Sequence, residues 1–191
     1  MPENFQADNL RTESDVEQKI IWPLLTSQAP HGLALPEDGI FTKVSIKSIT
    51  IGKGKSKKNY YPDYVFVHAG IPLLVIEAKA VGEDLEEAMR EARLYSSELN
   101  ARYSAQVDPV QHVIACNGER LIAGRANTES PEFDILAKNF SQADVDFSAF
   151  LEAYGHNQMS KRGEAVLKKS DPNDIGSREK WWEESPRKAR R

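Results

Sequence analysis

The chain has 191 residues, 40% hydrophobic and 28% charged, which excludes a globally disordered polypeptide and suffices for one domain with a core plus an appendage. The net charge of −4 argues against a protein that coats nucleic acid, yet the charge is uneven: Lys43, Lys47, Lys53, Lys55, Lys57 and Lys58 fall between Gly39 and Pro62 with no acid among them. No apolar run approaches the roughly 20 residues that span a bilayer, Met1 to Asp15 lacks the character of a signal peptide, and the lone Cys116 builds neither an intramolecular disulfide nor a thiolate metal cage. A cytoplasmic protein with no membrane partner is expected.

Thr12-Glu13-Ser14-Asp15 reads as a helix start, with Thr12 or Ser14 as cap and acids suited to the first turn. Val16, Ile20, Ile21, Leu24 and Leu25 follow at helical spacing, and Pro23 either kinks this helix or divides it. Val44, Ile46, Ile49 and Ile51 have strand character, and the Gly52–Asn59 stretch is a polar, basic loop. Tyr64–Val67 and Ile71–Ala80 read as two strands joined by a turn at His68-Ala69-Gly70. From Glu83 to about Tyr103, Leu85, Ala88, Met89, Ala92, Tyr95 and Leu99 form one helical stripe. Val110–Cys116 is a further strand, Asn117-Gly118 a hairpin turn, and Arg120–Ala123 the return strand. Beyond Ala126, Phe133–Phe140 and Phe147–Tyr154 read as helices, and Lys161–Lys169 continues one. The order predicts an α/β fold, a mixed central sheet flanked by helices.

The residues with chemistry are Pro62-Asp63 and, later, Glu77-Ala78-Lys79. With the hairpin centred on Gly70, Asp63 and Glu77 stand opposite each other, each the same count from the turn. Two carboxylates so placed repel unless a cation lies between them, and a divalent metal satisfies that need. Glu77 and Lys79 share a strand face, while Ala78 points into the core and leaves its backbone carbonyl as a further ligand. Such a hard-oxygen site suits magnesium, which would polarise a phosphate and help deprotonate water, with Lys79 orienting that water or neutralising developing charge. The competing reading is an edge strand with a surface ion pair and a turn aspartate. The lysines from Lys53 to Lys58 either clamp a phosphate backbone or form a solvated loop. His31, His68, His112 and His156 lack zinc spacing, His112 reads as a structural residue of a strand and Cys116 as buried, and Gly52-Lys53-Gly54 lacks the rest of a nucleotide-binding fingerprint, so no ATP site is expected.

In order, Glu13–Leu25, Pro62-Asp63-Tyr64-Val65, Val75–Lys79, the helix ending in Tyr95 and Ile114–Gly118 resemble the PD-(D/E)xK nuclease superfamily. More narrowly, they resemble the amino-terminal nuclease domain of the restriction subunit of type I restriction-modification enzymes. The resemblance implies a restriction-endonuclease-like core and a deoxyribonuclease. Asp63 and Glu77 would hold Mg2+ (or Mn2+), Lys79 would be the catalytic lysine, and Glu17, or Glu13 one turn earlier, would complete the acidic cluster. It also implies DNA, a motor domain of the same subunit, and methylation and recognition subunits as partners, so that the isolated chain is expected to cut poorly. Related nucleases carry a glutamine four residues before a tyrosine; here Glu91 precedes Tyr95, and a carboxylate there repels phosphate unless paired. Tyr95 reads equally as a core residue. The expected organisation is a nuclease domain over 1–128, a helical extension over 129–169 and a polar tail over 170–191. The alternative function is a DNA-binding or assembly module that keeps the fold with little activity.

Overall fold

Thr12 opens the first helix through a capping box: its Oγ1 accepts from the Asp15 N–H, and the Asp15 carboxylate accepts from the Thr12 N–H. In this computed structural model, which describes residues 10–43, 49–51, 58–103 and 107–169, with the backbone alone for 49–51 and 58–60, the helix runs without a break through Pro23. It starts as α1 (Glu13–Val16), widens into a π-helical turn (Glu17–Ile21) and resumes as α2 (Trp22–Thr26). The widening falls just ahead of Pro23, which has no N–H to offer, and the Trp22 N–H reaches back to the Glu17 carbonyl. The helix is therefore not divided at Pro23.

Six strands build one mixed sheet in the order β1 (Ile40–Thr42), β4 (Tyr64–His68), β5 (Ile71–Ala78), β6 (His112–Cys116), β7 (Arg120–Arg125) and β8 (Pro131–Leu136). β5 and β6 are parallel and the other neighbours antiparallel. β2 (Ile49–Ile51) and β3 (Lys58–Tyr60) form a separate pair. Lys47, Lys53, Lys55, Lys57 and the tail from Ser170 lie outside the described residues.

The parallel step from β5 to β6 is made through α3 (Leu85–Asn100), capped by the Asp84 side chain. Its buried positions Leu85, Ala88, Met89, Ala92, Tyr95 and Leu99 are the stripe read from the sequence, and they pack on Val65, Val75, Val113, Ala115 and Ile122. The other sheet face meets the first helix together with α4 (Val145–Tyr154) and α5 (His156–Lys169), through Ile20, Leu24, Phe66, Ile76, Phe147 and Tyr154. The sheet therefore has helices on both faces, as a restriction-endonuclease-like core requires.

Residues 133–140 are not a helix. Pro131–Leu136 is strand β8, followed by a 3-10 turn at Ala137–Asn139. The pattern there has period two: Ile135 is buried while Glu132, Asp134 and Leu136 face outward. Across to β7, Arg125 pairs with Glu132 and Arg120 with Asp134. Among the described residues no helix is long and apolar enough to cross a membrane.

The β4–β5 hairpin decides where the chemistry falls. Its turn is Ala69-Gly70, both with positive φ (49° and 79°), so its centre lies half a residue before Gly70. Continued unbroken, the pairing of His68 with Ile71 would set Asp63 opposite Ile76. A bulge intervenes: Phe66 pairs with Leu74 but Val67 with Pro72, leaving Leu73 as an extra residue on β5. Tyr64 then pairs with Ile76, and the register carries Asp63 to Glu77. Without the bulge the two carboxylates would face opposite sides of the sheet.

Candidate active site

Asp63 sits in the bend just before β4, and its backbone carbonyl is held by the Lys43 N–H at 3.2 Å. Its Oδ2 accepts from the Ala78 N–H at 2.8 Å, which ties it to the end of β5. It is Ala78's N–H that is engaged here, while its side chain is fully buried as expected. The Lys79 N–H donates to the Cys116 carbonyl, extending the parallel ladder one step past the strand. Cys116 itself is buried, and burial pushes its thiol up to about 12, so it takes no part as a nucleophile.

Glu13 and Glu17 come from the first helix. Being four residues apart they project together, and both reach Asp63. One carboxylate oxygen from each of Glu13, Glu17 and Asp63 lies within 4.8 Å of the other two, close enough to hold a metal ion. The sequence set Glu13 and Glu17 against each other for one position; the structure brings both in. Glu17 lies in the π-helical turn, and its backbone carbonyl accepts from the Tyr64 hydroxyl at 3.4 Å.

Glu77 is buried beside Asp63, and its Oε1 finds no hydrogen-bond partner among the described residues. Burial first, and then the charge of Asp63, hold its carboxyl well above the usual range. Glu77 thus stands beside Asp63 but outside the group formed by Glu13, Glu17 and Asp63, whose three carboxylates could hold a divalent cation.

Two lysines answer these acids. Lys79 donates from Nζ to Glu91 Oε2 at 2.7 Å. Burial pulls its pKa down, but the Glu91 bond and the charges of Glu91 and Glu77 prevail and raise it. Glu91 is thus neutralised by the predicted catalytic lysine itself. Tyr95, one turn further along α3, is buried in the core. Lys43, read from the sequence as one basic residue among six, stands inside the site: its Nζ is 2.9 Å from Glu17 Oε1, 3.3 Å from Asp63 Oδ1 and 4.0 Å from Glu13 Oε1.

Residues 40–132 match the family of the type I restriction enzyme R protein N terminus (HSDR_N). No curated protein matches the chain. Among solved structures, a fragment described as an HsdR subunit of a type I restriction enzyme from Vibrio vulnificus is similar at 16% identity and a TM-score of 0.47, covering 66% of this chain and 23% of that one. This chain therefore spans about a quarter of that structure's length. The matched region begins at β1 and includes Lys43, Asp63, Glu77, Lys79 and Glu91, while the helix bearing Glu13 and Glu17 precedes it. Over residues 40–132, just under half of its length, this chain is thus similar to the type I restriction enzyme R protein N-terminal family.

Proposed function

We propose that the chain is a magnesium-dependent endonuclease domain that hydrolyses DNA phosphodiester bonds as part of a type I restriction subunit. The observation that carries this reading is the grouping of Glu13, Glu17 and Asp63 within 4.8 Å, with Asp63 tied to the end of β5 beside Glu77 and Lys79 two residues on from Glu77.

Asp63, Glu77 and Glu17 would hold the cation, with the Ala78 carbonyl as a further oxygen and Glu13 as a fourth acid. The bound cation would supply Lewis-acid polarisation of the phosphate and a lowered pKa for water. The chain's own groups do the rest. The Ala78 N–H fixes the rotamer of Asp63, so the carboxylate is positioned before any ligand arrives. Glu91 restrains the Lys79 ammonium at the rim, where it orients the attacking water and balances charge on the phosphate. Water oxygen joins phosphorus, the P–O bond to one strand breaks, and the departing oxygen takes up a proton.

The test is magnesium-dependent cleavage of supercoiled DNA by this chain, and by this chain assembled with the motor and recognition subunits, beside an Asp63→Ala control. Cleavage that appears or rises at least tenfold on assembly, and disappears in Asp63→Ala, is the expected result. Cleavage that survives Asp63→Ala would overturn the assignment. One observation favours a second reading, a DNA-binding or assembly module: both lysines of the site are engaged by carboxylates. DNA binding by the full assembly that is metal-independent, with no cleavage under any of these conditions, selects that reading.

A further inference from the structure

The three carboxylates grouped closely enough to hold a metal ion are the same three that surround Lys43 Nζ. Lys79, the nearer candidate by sequence, is turned to Glu91 instead. Lys43 is held from both ends: its backbone N–H donates to the Asp63 carbonyl, and its side chain returns to the Asp63 carboxylate. Its side chain keeps 45% exposure, so it has room to leave. Two cations cannot share three oxygens packed within 4.8 Å without strong mutual repulsion.

We propose that Lys43 is a built-in counter-ion that occupies the place of the divalent cation, so that metal loading requires its displacement. The proposal rests on the metal reading above and adds to it a control of that site. In the unloaded state the ammonium relieves the repulsion among Glu13, Glu17 and Asp63 and keeps the acids assembled. On loading, Lys43 leaves these oxygens and stands at the end of β1 as a freed positive charge beside the cluster, where a phosphate would be drawn in. Affinity for metal is thereby kept low until a phosphate supplies further oxygens and a partner for the released ammonium. The acids would be prepared without cutting being permitted.

The experiment is Mn2+ binding by calorimetry, with thermal melting in the absence and presence of Mn2+, on the wild-type chain, Lys43→Gln and Asp63→Ala. Lys43→Gln is expected to bind Mn2+ about tenfold tighter or more than wild type, to melt at a lower temperature without metal, and to gain more on its addition. Equal or weaker Mn2+ binding by Lys43→Gln, with binding abolished in Asp63→Ala, would overturn the competition while leaving the metal site standing. Unchanged Mn2+ affinity in Asp63→Ala would remove the metal site itself. A measurement needing no variant covers a Lys43→Gln chain that fails to fold. The ammonium resonance of Lys43, followed by 15N NMR in the wild type, should be protected without metal and exchange rapidly at saturating Mg2+; a signal unmoved by Mg2+ refutes the displacement.

Discussion

Glu77 keeps 3% of its surface exposed and leaves one oxygen unpartnered among the described residues, an arrangement that costs the fold free energy until something positive arrives. Replacing it with a residue of similar size and no charge should therefore stabilise the metal-free chain. Glu77→Leu is expected to raise stability in urea by about 1–3 kcal/mol and to abolish the stabilisation that Mn2+ gives the wild type. A loss of stability in Glu77→Leu would show that the carboxylate is structural. Asp63, Glu77 and Lys79 were legible in the sequence because strand alternation places them relative to one another over a short span. Lys43 was not, because its contacts with Asp63 and Glu17 cross 20 and 26 residues and no local pattern records them. The pairing of Glu91 with Lys79 spans 12 residues and a change from strand to helix, so the sequence shows an unexpected acid but not its partner.

At the scale of elements, the β4–β5 hairpin carries a turn with an identifiable weakness. Ala69 holds a φ of 49°, a region in which a β-carbon is strained and asparagine is better tolerated. Ala69→Asn should stabilise the chain by a few tenths to about 1 kcal/mol, and Gly70→Ala should destabilise it by about 1 kcal/mol, both read from denaturation midpoints. Destabilisation by Ala69→Asn together with stabilisation by Gly70→Ala would show that the turn has another geometry. Counting symmetrically from Gly70 reaches the correct pair, Asp63 and Glu77, although the turn is centred earlier. The half-residue offset and the extra Leu73 cancel, and a bulge has no signature that counting can see. Helix α3 was legible throughout because one apolar stripe runs along it. Strand β8 was read as helix: its few alternating residues were too short a run to outweigh the apolar residues after it.

For the molecule as a whole, His112 links stability to acidity. It is buried at the start of β6, edge-on to Tyr154 with ring centroids 5.3 Å apart. Burial first, then the charges of Arg162 and Arg125, push its pKa down to about 3 from 6.5. Between those values the unfolded chain binds a proton that the folded chain refuses, so stability falls as pH falls through this window and is unaffected above it. The slope due to this one group reaches at most about 1.4 kcal/mol per pH unit. His112→Phe, which keeps a ring against Tyr154, should flatten the acid limb of a urea-stability profile taken from pH 7 to pH 4. A limb of unchanged slope would assign the acid sensitivity to other groups. The sandwich of helices about a mixed sheet followed from the order of the elements, whereas the side of the sheet each helix covers follows from packing among distant segments.

Strand β8 also has a bearing on how the molecule meets others. A sheet margin displays unpaired N–H and C=O groups that invite foreign strands and aggregation. This one is blunted three times over: Pro131 contributes no N–H, a bulge at Ala123/Gly124 twists the pairing, and Glu132 and Asp134 are bridged back to β7 by arginines. At the opposite margin β1 offers only Ile40–Thr42. Among the described residues neither margin is a template for growth, so a chain that presents acids and lysines along one rim can be concentrated without self-adhesion through its sheet.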